Sequence, residues 1–189
     1  MSKPLRLFIA VKVLSPPSLR KVLKHLETMG RPVKPVSADN LHVTLKFLGD
    51  TNPTRVPEIS NAVSEAVGGE KTFEGQIVGL GAFPRIQRPS VIWAGLENGE
   101  PLKRIAESLE TMLRGLNFHP EQKPFHPHLT LARIKSKPPS ELAELLNENQ
   151  TTDFGAVSIS SVELFQSELQ PSGPRYTVLA SAKLTEHNS

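Results

Sequence analysis

Apolar positions along the chain recur in two rhythms, a period of two and a period near 3.6, and their order predicts the elements. Leu5 to Val13 reads as a strand. Ser15, followed by two prolines, makes a helix start, Leu19, Val22, Leu23, Leu26 and Met29 recur at helical spacing, and Gly30 stands where a helix stops. Polar Ser37 to Asn40 leads into an alternating strand, Leu41 to Leu48. Val56, Ile59, Val63 and Val67 mark a second amphipathic helix ending at Gly68-Gly69, and a strand over Thr72 to Leu80 follows.

The same order then repeats. Val91 to Leu96 predicts a strand, and Leu102, Ile105, Leu109, Met112, Leu113 and Leu116 trace one helical face. His128 to Ile134 is again a strand, Ser140 to Asn147 a short helix, and Ala156 to Phe165 and Tyr176 to Leu184 are strands. Ile9 precedes His42 by 33 residues and Trp93 precedes His128 by 35, so both halves read β-α-β-α-β with an offset of about 85 residues. The repeat predicts an α+β fold: one bilobal domain spanning 1–189, with pseudo-twofold-related lobes of approximately 1–85 and 86–189.

The third element of each half carries the same tetrapeptide pattern, His42-Val43-Thr44-Leu45 and His128-Leu129-Thr130-Leu131. With six histidines and eleven threonines in 189 residues, random placement gives about 0.35 His-x-Thr and about 0.04 His-x-Thr-Leu; two are present. In a strand, alternate side chains share a face. His42, Thr44 and Lys46 are then expected on one face, with Val43, Leu45 and Phe47 in the core; His128 and Thr130 likewise oppose Leu129 and Leu131. Two lobes about a twofold would aim both polar pairs into one cleft. Two imidazoles flanking a phosphorus suit in-line displacement, one neutral as base and one protonated as acid. The ordinary histidine pKa of about 6.5 allows both states near neutral pH, and the threonine hydroxyls can donate to non-bridging oxygens. The motifs are nearly symmetric, so they do not themselves assign acid and base. The plainer alternative for either motif alone is an ordinary half-buried strand histidine.

Composition narrows the classes. The formal charge of +3 and pI near 9.3 permit an anionic substrate such as RNA. The absence of cysteine excludes disulfides and thiolate metal sites. The N-terminal apolar run is broken by Lys12 and lacks a cleavage pattern, and no stretch nears the roughly 20 apolar residues of a membrane span. A cytoplasmic, monomeric protein without membrane attachment is expected.

The other candidates read as structural. His126 and His128 could join His42 at zinc, but Pro127 intervenes and no carboxylate completes a recognisable set. His25, on a helix, and His187, in the tail, read as solvated, and His119 as a loop residue. Gly79-x-Gly81 lacks the context of a dinucleotide fingerprint and reads as a turn. Arg85 and Arg88 fall in a Pro-rich loop joining the halves, as solvated charges or as contacts to substrate phosphates.

"LHVTLKFLG", "GAFPRIQRPSVIWAG" and "FHPHLTLAR", in this order and spacing, resemble the two-histidine phosphoesterase superfamily, and within it the RNA 2′,3′-cyclic phosphodiesterases, also called 2′-5′ RNA ligases. The resemblance covers essentially the whole chain. It implies two sheets around a central groove, and hydrolysis of a terminal RNA 2′,3′-cyclic phosphate, or a small nucleoside cyclic phosphate, to a 2′-phosphomonoester. No cofactor and no metal are implied. His42 resembles the proton donor and His128 the acceptor, with Thr44 and Thr130 as phosphate-holding hydroxyls. Arg133 matches a position often filled by arginine, a phosphate contact, although strict alternation puts it opposite His128 unless a twist or bulge intervenes. Alternatives are ATP-independent 2′-5′ ligation at the same site, a non-catalytic binder of RNA 3′ ends, and a zinc hydrolase.

Overall fold

The structure, a computed structural model, describes residues 3–186. His187 lies outside them. The elements run β1 (Leu5–Lys12), α1 (Pro17–Thr28), β2 (Val33–Pro35), β3 (His42–Thr51), α2 (Val56–Val67), β4 (Phe73–Arg85), β5 (Arg88–Glu97), α3 (Glu100–Gly115), β6 (His128–Ile134), α4 (Ser140–Glu148), β7 (Asp153–Ile159), β8 (Ser161–Gln170) and β9 (Gly173–Lys183). The expected α+β fold is present, as antiparallel strands in the order β7-β4-β5-β6-β3-β1-β8-β9, with β2 on β6. Among the described residues no helix is long and apolar enough to cross a membrane.

One bridge, Val43 to Leu129, joins the two halves of this sheet. Both residues are fully buried. One half contains β3, β1, β8 and β9; the other contains β6, β5, β4 and β7. Exchanging β1 for β5, β3 for β6, β8 for β4 and β9 for β7 turns one strand order into the other, which is the pseudo-twofold the repeat predicts.

The lobes, however, do not divide at residue 85. β4 pairs with β5 and β7, whereas β8 pairs with β1. The helices cross as well: α1 follows β1 but packs on β2 and β7 of the other half, and α3 follows β5 but packs on α2 and β3. Each connection carries its helix across the molecule, so the lobes interlock and share one hydrophobic core.

The Pro-rich loop expected between the halves is the tip of the β4–β5 hairpin, where Arg85 pairs with Arg88. Gly79 and Gly81 lie within β4 and form no turn. Gly79, at φ +77, occupies a break in register between Val78 and Leu80. A Cβ there would stand 2.3 Å from the Gln150 carbonyl oxygen. Gly81 admits the ring of Trp93 from β5, which would lie 2.2 Å from an added Cβ.

The two His-x-Thr strands contain matching irregularities. β3 pairs Ile9 with Lys46 and Ala10 with Thr44, so Leu45 is extra. β6 pairs Ile92 with Ala132 and Trp93 with Thr130, so Leu131 is extra. Each bulge falls at the leucine three residues after the histidine, and both leucines are buried. An extra residue reverses the alternation beyond it. Lys46 therefore turns away from the groove and is 3% exposed, while Phe47 emerges on the groove face at 63%. The expected placement of Lys46 in the cleft and Phe47 in the core is thus reversed.

Behind β3, the Lys46 ammonium donates to Glu110 Oε1 (2.6 Å) and to the His119 carbonyl (2.7 Å), tying the segment before β6 to β3. Lys46→Ala strands a partly buried carboxylate and a carbonyl, at a cost of about 1–3 kcal/mol. The check is the urea midpoint at unchanged m-value. A loss within about 0.5 kcal/mol, the ordinary surface range, would show that water replaces the ammonium freely.

Candidate active site

The bulges and the bridge together determine the site. Continuing the Val43–Leu129 register by one residue each way places His42 beside Thr130 and Thr44 beside His128, on the face opposite the two buried residues. On that register the two histidines fall on a diagonal across the seam, each level with the other motif's threonine.

Each imidazole is held the same way. His42 Nδ1 lies 2.7 Å from the Asn40 carbonyl, and His128 Nδ1 lies 2.8 Å from the His126 carbonyl. A carbonyl accepts only, so in both rings Nδ1 carries the proton and donates it. Nε2 is the ring nitrogen left free in each. The role of exposed His126 is therefore its backbone oxygen, and among the described residues no group of three His, Cys, Asp or Glu gathers as a metal site.

Aromatic rings set the imidazole planes. His42 lies against Phe8 (centroids 5.2 Å) and edge-on to Tyr176 (5.3 Å), and His128 lies edge-on to Phe83 (5.3 Å), itself packed on Trp93. Burial pushes the His42 pKa below its ordinary value; the bond to Asn40 opposes this, and the charges of Arg133 and His128 add to it. Burial raises the Tyr176 phenol, which stays protonated at neutral pH.

A cavity of about 670 Å³ opens at this seam, with His42, Thr44, Phe47, Thr130, Arg133 and Tyr176 on its wall. Arg133 reaches it because the bulge at Leu131 returns it to the groove face, as the bulge at Leu45 returns Phe47. The two occupy equivalent places, five residues after each histidine, and there the twofold is broken: one side presents a phenyl ring, the other a guanidinium. Arg85 and Arg88 do not line this cavity. His25 pairs with Glu141 at 2.5 Å, linking α1 to α4, and so is engaged rather than freely solvated. His119 contributes its carbonyl to Lys46.

The sequence motifs do not point to Phe8, Tyr176, Phe83, Trp93, Lys34 or Lys135 as site residues. Trp93 and Phe83 sit in the quoted "GAFPRIQRPSVIWAG", but nothing in spacing places either ring at His128.

The sequence profile of the 2′-5′ RNA ligase superfamily matches residues 15–170, and the chain belongs to this family. An RNA 2′,3′-cyclic phosphodiesterase of Aeropyrum pernix is 40% identical over 156 residues, 82% of this chain and 88% of its own. Another protein of that name, from Thermus thermophilus, is 33% identical over 190 residues, covering 95% and 90%. Among solved structures, TT0787 of Thermus thermophilus superposes with a TM-score of 0.77 at 32% identity, over 97% of this chain and 100% of that one. E. coli LigT complexed with 3′-AMP gives 0.72 at 25% identity, over 96% and 99%.

Proposed function

We propose that this protein hydrolyses RNA 2′,3′-cyclic phosphate ends to 2′-phosphomonoesters, with His42 as proton donor and His128 as acceptor. The observation that carries this reading is the pair of imidazoles, each with Nδ1 committed to a carbonyl and Nε2 free, on either side of one seam. His128 Nε2 takes a proton from water as its oxygen bonds to phosphorus. The phosphorus–O3′ bond breaks opposite, and His42 Nε2–H protonates the departing O3′. Thr44, Thr130 and Arg133 hold the non-bridging oxygens, where the charge builds. The groups named account for every proton moved, and the reaction as proposed needs no metal. Both motifs come from one chain, so one copy completes the site, in keeping with a monomer.

The test is incubation with cytidine 2′,3′-cyclic phosphate in EDTA, followed by phosphorus NMR. The expected product is the 2′-phosphate alone, because one fixed acid can protonate only the ester oxygen it faces. A mixture of isomers, or activity that EDTA abolishes and zinc restores, would overturn the mechanism. Adding an RNA with a 5′-hydroxyl asks whether that hydroxyl replaces water to give a 2′-5′ linkage.

The lowered His42 pKa also predicts a pH signature. In the free enzyme this ring loses its proton at a lower pH than an ordinary histidine, so the donor form declines early and kcat/KM falls early on the alkaline side. A bound phosphate anion favours the imidazolium. The alkaline limb of kcat should therefore lie at higher pH than that of kcat/KM. If instead the acid limb moves upward on binding, His42 is the base and the two roles exchange.

A further inference from the structure

The cavity wall carries four cationic side chains, Arg6, Lys34, Arg133 and Lys135, and no carboxylate. Three of them stand together at one end. β2 pairs with β6 so that Lys34 is directly opposite Arg133. Lys135 follows two residues after Arg133, and its N–H donates to the Pro32 carbonyl (2.8 Å), which continues the ladder past the end of β6. At about 3.3 Å per residue, Lys135 lies about 7 Å further along the groove than Arg133. All three are exposed. None has an ion-pair partner among the described residues. Like charges directly opposed across two strands repel, and no acidic side chain on the cavity wall relieves this. An anion would.

We propose that Lys34, beside Arg133, and Lys135, beyond it, form a second anion site that takes the phosphate on the 5′ side of the terminal nucleotide. The inference rests on the proposed function and adds what part of the RNA is read: a chain end with a phosphate 5′ of its last ribose, rather than a bare nucleoside cyclic phosphate. The 5′ phosphate is the next anion along the strand from the reacting one. An internucleotide phosphate has two equivalent non-bridging oxygens and no fixed orientation demand. Two flexible ammonium groups meet it as point charges, without the planar fork that arginine offers. The site is open to solvent, which suits a chain that must continue outward.

The test compares kcat/KM for cytidine 2′,3′-cyclic phosphate with and without a 5′-phosphate. Two exposed ion pairs at the upper end of their ordinary strength give a ratio of about thirtyfold in favour of the 5′-phosphorylated compound, carried by KM. In Lys34→Gln/Lys135→Gln, with folding verified by circular dichroism, the ratio is expected to fall to about one, and Lys34→Arg/Lys135→Arg should restore most of it. A wild-type ratio of one, or a ratio that survives the double glutamine change, overturns the second site while leaving the proposed function standing. If the wild type turns over neither compound, the proposed function falls and this site falls with it.

Discussion

Replacing either His42 or His128 with alanine is expected to lower kcat by roughly 10²–10⁴-fold, the range for a positioned acid or base. The two losses should not multiply. In the proposed mechanism each ring serves the same passage through phosphorus, so once one is absent the other has little left to assist, and the double variant should fall well short of the product. The variants should fold, because neither ring is in the shared core: His42 and His128 are only partly buried, and the buried seam is made by Val43 and Leu129. Alanine at 42 does remove a contact of Phe8 and Tyr176, so His42→Gln serves as a second variant that fills more of the space. Single-turnover hydrolysis of a nucleoside cyclic phosphate, alongside thermal unfolding, separates chemistry from folding. A folded single variant that keeps near wild-type turnover would end the two-histidine mechanism.

The duplicated motif is legible because the two halves of the chain repeat. One His-x-Thr in an apolar run means little; two in equivalent places imply one cleft, and the elements around them followed the expected periods. The consequence of the leucine was not legible. Leu45 and Leu131 look like ordinary inward residues of an alternating strand, yet each is a bulge, and only strand pairing reveals that. Strict alternation places Lys46 in the groove and Phe47 in the core, and it brings Arg133 to the histidine face only through the bulge that its expected role as a phosphate contact requires. Sequence offers no local sign of this, because a lysine can be buried when a carboxylate and a carbonyl lie behind it, and both come from 64 residues or more away.

The interlocked lobes were hidden for a related reason. Periodicity identifies a helix and its apolar face but not which sheet half receives that face. The division near residue 85 assumed that each half of the chain folds on itself; instead α1 and α3 exchange sides. β2 escaped notice because three residues, Val33–Pro35, with prolines at 32 and 35, carry no strand rhythm. Its importance lies in placing Lys34 opposite Arg133.

The threonines should matter unequally. Thr44→Val and Thr130→Val keep the shape of the side chain and remove its hydroxyl. Loss of one donor to a charged transition state typically costs about 10²–10³-fold in kcat. The register gives the two residues equivalent places, each beside the opposite histidine. Their surroundings differ five residues after each histidine, where Phe47 stands on one strand and Arg133 on the other. On β6 the guanidinium can continue to hold the oxygen that Thr130 releases, whereas on β3 a phenyl ring offers no such donor. Thr44→Val should therefore approach the upper end of that range and Thr130→Val the lower. In the Arg133→Ala background, the penalty for Thr130→Val should rise toward that for Thr44→Val, because the two groups back each other up. The reading is kcat from saturating cyclic phosphate for each single and double variant. Equal losses for the two threonines, unchanged by the loss of Arg133, would mean that the guanidinium does not share the oxygen and that the broken twofold has no part in the chemical step.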